Sequence, residues 1–135
     1  MPFRNSGQSN ESSATRALHG LTGLLIRHFW RRWSHFHHVS EELILVPRGE
    51  PTIRLRDGDR QLREGDVVPL PRGPSGGHQL RNESTAAARV LIVSTNSRPD
   101  VAEYPETGKV GLLLPESDEW EFHRRSEAVP HSGPD

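Results

Sequence analysis

From Glu42 to Thr95 the sequence runs as short apolar or alternating segments, each cut off within a few residues by Gly, Pro or Asp. That punctuation leaves room for strands and little for helices. Glu42-Leu43-Ile44-Leu45-Val46, closed by Pro47 and Gly49, has the pattern of a buried strand, with Glu42, Ile44 and Val46 on one face and Leu43 and Leu45 on the other. Thr52 to Arg56 alternates, with Ile53 and Leu55 inward. Asp57-Gly58-Asp59 predicts a type I′ hairpin turn. Arg60 to Leu62 returns as a strand, and Glu64-Gly65-Asp66 turns the chain into Val67 to Pro71, which Pro69 assigns to a sheet edge or a bulge. After a glycine-rich loop, His78 to Asn82 alternates with His78, Leu80 and Asn82 on one face, and Arg89 to Thr95 is the last clear strand. Short strands at this spacing indicate an all-β barrel or sandwich.

The flanks are less regular. Residues 1–13 are rich in Ser, Asn, Gln and Gly and are expected to be disordered. Between 14 and 34 two patterns compete. Leu18, Leu21, Leu24, Leu25 and His28 fall at helical spacing, whereas Gly20 and Gly23 weaken a helix and Thr22, Ile26, Phe29 and Trp30 suit a strand. A strand at Leu24 to Phe29 is preferred. Arg27, Arg31 and Arg32 with Trp30 and Trp33 also fit a basic amphipathic helix on a membrane surface, the less favoured alternative. Residues 96–115 predict irregular structure with one strand at Val110 to Leu114, and the domain is placed at residues 14–115. The charged, proline-containing tail 116–135 is expected to be disordered, with Trp120 and Phe122 as isolated aromatics.

A chain of 135 residues fits one domain. A net charge of −1 gives no electrostatic reason to expect nucleic acid. With no cysteine in the sequence, disulfides, thiolate metal sites and cysteine nucleophiles are excluded, which suits a cytoplasmic protein. Apolar runs such as Leu24-Leu25-Ile26 are far too short to span a bilayer, and the polar start lacks a signal-peptide core.

The chemistry concentrates at Ser34-His35-Phe36-His37-His38-Val39-Ser40-Glu41-Glu42. In an extended segment His35 and His37 project from the same face. With a carboxylate a few residues on and His78 downstream, these residues are expected to converge on one divalent metal. His38 points opposite to His37, and Glu41 competes with Glu42 for the carboxylate role.

His35-x-His37, then Glu42, then Gly49, resembles the first motif of the cupin superfamily, G-x5-H-x-H-x3,4-E-x6-G. Gly65, Pro71, Gly73, His78 and Asn82 resemble the second, G-x5-P-x-G-x2-H-x3-N. Phe29 stands where the first motif begins with glycine. Within the superfamily the chain is most similar to a bacterial group of small single-domain cupins, through His37 to Glu42, Pro71 to Pro74 with Gly77-His78-Gln79, and Glu103-Tyr104-Pro105 with Gly108 to Gly111.

The resemblance implies a jelly-roll β-barrel with His35, His37, Glu42 and His78 turned inward onto a metal. The alternation agrees, since Glu42 shares its face with Ile44 and Val46, and His78 shares its face with Leu80. An inward carboxylate or imidazole is costly unless paired or ligated. Three imidazoles and a carboxylate suit Mn, Fe, Ni, Co or Zn. The implied function is a metalloenzyme, dioxygenase, isomerase or lyase, acting on a small polar molecule. The alternatives are a non-catalytic module binding a sugar or carboxylate, and a degenerate barrel. The same ligands serve the first two, so whether the chain is an enzyme stays open. No nucleic-acid or membrane partner is expected, and the resemblance implies a homodimer formed through outward faces such as Leu43 and Leu45.

Overall fold

The computed structural model of the protein describes residues 20–26 and 33–132. Its strands are β1 (Gly20–Ile26), β2 (Phe36–His37), β3 (Glu42–Arg48), β4 (Thr52–Leu55), β5 (Gly58–Gln61), β6 (Val67–Leu70), β7 (Gln79–Arg81), β8 (Ala88–Ser94), β9 (Asp100–Tyr104), β10 (Lys109–Leu113) and β11 (Glu121–Arg124). Among the described residues every strand pairs antiparallel to its neighbours. The strands form a sheet of order β1-β8-β3-β6, a second of order β11-β10-β9-β2, and a third of order β5-β4-β7. Among the described residues hydrogen bonding therefore does not run unbroken around a closed barrel, and the jelly roll is a sandwich of sheets. The second and third sheets meet at one antiparallel bridge, His35 to His78, through His35 N–H to His78 O at 3.1 Å and His78 N–H to His35 O at 3.0 Å.

Alternation explains the core. Ile44 and Val46 from β3, Val68 and Leu70 from β6, and Val90 and Ile92 from β8 meet Ile53 and Leu80 of the third sheet, with Leu62 beside them. Ile44 and Ile53 are wholly buried. β6 lies at its sheet's edge, where Pro69 costs no ladder bond.

Several boundaries differ from the sequence-based expectation. β1 begins at Gly20 rather than Leu24, and Arg27 to Phe29 lie outside the described residues, as does the rest of the amphipathic segment 27–32 and the N-terminal stretch 1–13. The hairpin forms, but its two loop residues are Arg56 and Asp57, because Leu55 pairs with Gly58. Gly58 takes the positive φ, 122°, as the first residue of β5, so the strand twist is accommodated after the turn and not within it. Residues 96–115 hold β9 as well as β10. In place of an unstructured tail, β11 pairs with β10 from Lys109↔Arg124 to Leu112↔Glu121. Among the described residues no helix is long and apolar enough to cross a membrane.

Candidate metal centre

The register of the second sheet arranges its interior side chains in rows. His37 pairs with Ala102, Ala102 with Gly111, and Gly111 with Phe122. Cross-strand partners share a face, so His37 and Gly111 face the sandwich interior together with buried Ala102, while Phe122 ends the row at the surface. One row along stand Tyr104, Lys109 and Arg124, paired in turn. His35 joins them, its ring stacked on Tyr104 with centroids 5.3 Å apart and planes at 16°.

Into this space β3 projects Glu42 and the loop before β7 projects His78. Ligand atoms of His35, Glu42 and His78 all lie within 4.8 Å of one another. His37 stands beside this trio, its Nε2 3.6 Å from Glu42 Oε1, while His78 Nε2 is 3.5 Å from Glu42 Oε2. Rings of His35 and His78 are 4.6 Å apart, and those of His35 and His37 5.3 Å. His35 and His78 are buried; His37 and Glu42 side chains are each 13% exposed.

Each imidazole is oriented from behind. His35 Nδ1 bonds the Trp33 carbonyl at 3.2 Å, His78 Nδ1 the Gly76 carbonyl at 2.9 Å, and His37 Nδ1 the Asp100 carboxylate at 2.8 Å. These partners only accept, so all three Nδ1 atoms donate and the neutral rings carry their lone pairs on Nε2. The backbone before β7 folds tightly to reach His78. A Cβ at Gly76 would lie 1.7 Å from the Pro71 carbonyl oxygen, so only glycine can present its carbonyl to His78 there.

Asp100 is the residue that sequence reasoning missed. It is 2% exposed and accepts from the backbone N–H groups of Val39 at 3.0 Å, Ser40 at 3.4 Å and Val101 at 2.8 Å. Burial pushes its carboxyl up, but hydrogen bonds from His37, from Ser40 and from the Val39 N–H outweigh it and hold it below the ordinary carboxylate value. A carboxylate behind a histidine is a common support for a metal ligand. Alternation in Asp100-Val101-Ala102-Glu103-Tyr104 was the one signal available, and Pro99 and Pro105 at its ends obscured it.

The remaining expectations divide. His38 turns outward, 42% exposed at its side chain, and pairs with Glu103 at 2.7 Å. That bond, then Arg125, holds Glu103 below its ordinary value against the opposing effect of burial. Glu41 is exposed. Asn82, wholly buried, ties its own turn by donating to the Ala86 carbonyl at 2.8 Å and accepting from Ser84. The tail aromatics dock after all. The Trp120 ring meets His37 edge-on at 5.7 Å, and Phe122 meets Tyr104 at 5.7 Å. Gly111 makes room for them, since a Cβ there would stand 3.0 Å from Trp120 and 3.1 Å from Phe122.

Among the described residues, nothing donates a hydrogen bond to the Glu42 carboxylate. Both distances to imidazole nitrogen exceed hydrogen-bond length. A carboxylate facing nitrogen lone pairs is costly unless a proton, a bridging water or a cation lies between them.

Residues 30–94, β2 through β8, match the family model of the cupin domain. Among curated proteins none matches the chain significantly. Solved structures similar to it include a sugar phosphate isomerase of the cupin superfamily from Silicibacter pomeroyi, with a TM-score of 0.74 over 84% of this chain and 71% of that one at 21% identity. A protein from Acidithiobacillus ferrooxidans, provisionally named for the same activity, gives a TM-score of 0.73 over 84% and 72% at 22% identity. Likeness at such identity shows the fold alone.

Proposed function

We propose, from the match of residues 30–94 to the cupin domain, that this chain is a cupin that holds a divalent metal ion on His35, His37, Glu42 and His78 and acts through it on a small polar ligand. The observation that carries this is the Glu42 carboxylate, ringed by imidazoles whose Nδ1 atoms are already committed. A cation satisfies all four groups at once, and three nitrogens with one oxygen fit Mn, Fe, Ni, Co or Zn. Once bound, such an ion supplies a Lewis acid to a carbonyl or hydroxyl ligand.

The chain's own residues do the rest. His35 and His78 are held by backbone carbonyls and His37 by Asp100, so the ligand set is pre-oriented. Trp120 and Tyr104 cover the site with ring edges and faces, limiting water. Among metal-dependent reactions we favour isomerisation of a phosphorylated sugar, the activity for which the two fold relatives are named. The alternative is non-catalytic binding of a sugar or carboxylate, supported by the aromatic cover. Elemental analysis of the purified protein tests the metal, and a screen of sugar phosphates on metal-loaded protein tests the activity. A chain that retains no metal sinks the first; a chain that binds a sugar without converting it leaves the binding module.

A homodimer belongs to the same proposal. Opposite to the core, Leu43 pairs with Val93 and Pro69, and Leu45 pairs with Leu91 and Val67, giving two apolar rows on the outer face of the first sheet. Val67 is 53% exposed. Gel filtration at monomer size would contradict pairing through this face.

A further inference from the structure

The row beside the metal centre ends in two cations. Tyr104 pairs with Lys109, and Lys109 with Arg124, so all three side chains lie on the face that holds His35 and His37. The Arg125 N–H bonds the Gly108 carbonyl at 2.9 Å, flanking the Lys109–Arg124 pair. That makes it a non-hydrogen-bonded pair, the kind whose side chains approach more closely. Like charges in this position repel and destabilise the ladder. Among the described residues no carboxylate pairs with Lys109, and Arg124 has only Glu127, at 3.8 Å from its Nε. The nearby Glu103 is already bound to His38 and Arg125. Lys109 also lines a hollow of about 270 Å³ with Trp33, Tyr104, Thr107 and Phe122.

We propose that Lys109 and Arg124 form an anion subsite for the phosphate group of a small phosphorylated ligand, whose other end reaches the metal centre across Tyr104. This rests on the metal-centre reading above and adds the residues that would hold the phosphate of the substrate class favoured there. An anion between the two cations removes their repulsion, and two charged donors recognise phosphate more strongly than one. Lys109 lies two strands from His35, about 10 Å across the ladder, a span that the carbon chain of a sugar monophosphate and the lysine side chain bridge together.

Calorimetric titration of the full-length protein with inorganic phosphate and with glucose 6-phosphate tests this. The wild type is expected to bind both, and Lys109→Met with Arg124→Met to weaken both at least tenfold while metal content stays that of the wild type. The swap Lys109→Arg with Arg124→Lys keeps affinity within about threefold, because the charge is what matters. Undiminished phosphate binding by the double Met variant, or no phosphate binding by the wild type, overturns the subsite. His78→Ala separates the two proposals: it is expected to lose metal yet keep inorganic phosphate, and loss of phosphate binding there with the fold retained counts against a subsite on Lys109 and Arg124.

Discussion

Glu42 and Ile44 stand two residues apart on one face of β3, and the interior changes character between them. Around Ile44 the facing residues are Ile53 and Leu80 of the third sheet, and the space is filled by hydrocarbon. Around Glu42 the facing sheet is the second, which offers His37 and then Ala102 and Gly111, too small to fill the gap. Trp120 from the last strand region lies over Gly111 and against His37 instead. One end is held by close packing, the other by a ring of polar groups oriented from behind. The same strand serves both because alternation fixes which side chains enter the interior, while the opposing sheet decides what they meet there.

The sharpest way to break this comparison is to damage the apolar end alone. Ile53→Ala removes a fully buried side chain and is expected to cost about 2–5 kcal/mol, measured by urea unfolding, with the folded fraction keeping the metal stoichiometry of the wild type. Metal loss in step with stability would show that the ends are not separable.

Damage to the polar end comes next. His78→Ala, His35→Ala and His37→Ala are each expected to weaken metal affinity beyond the roughly 10–100-fold range typical of groups behind a ligand, while His38→Ala stays near the wild type. Equal metal content across all four variants, by elemental analysis, would remove the assignment. Asp100→Asn is expected to fall within that range of about 10–100-fold, because His37 keeps an acceptor but loses the charge behind it. Competition with a chelator of known affinity measures this.

The smallest effect sharpens the apolar end from outside. On the surface of the third sheet Asp59 bonds Arg54 at 2.8 Å and also Arg81. Hydrogen bonds from Arg54 and then Arg81 lower its carboxyl from 3.8 to about 2. A lowered folded-state value means stability that is present above 3.8 and is lost as pH falls toward and through about 2. Asp59→Asn is expected to flatten urea midpoints over that window and leave metal content unchanged. An unaltered acid profile would show that the pair contributes nothing, as exposed pairs often do.

Much of the fold was legible because its signals are local. Turn residues at Gly49 and Glu64-Gly65-Asp66 bounded strands that the structure reproduces within a residue or two, although β3 runs through Pro47. β9 and β11 were not legible. Asp100 to Tyr104 carries two charges and sits between prolines, and Glu121 to Arg124 is exposed throughout. Such segments become strands only because β10 lies ready to pair with both. The tail aromatics looked idle for the same reason: no local pattern announces that Gly111, on another strand, has left them space.

For the site, the sequence by itself determined that His35 and His37 share a face and that Glu42 and His78 each lie on a face with core residues, since side chains in a strand alternate with a period of two. Tertiary structure alone decided that these faces meet. It set His35 opposite His78 across a single bridge, placed Asp100 behind His37 from 63 residues away, and laid Trp120 against the same ring. Periodicity is a property of neighbours along the chain; register and cover are set by contacts between distant segments, whose energies no short stretch of sequence contains.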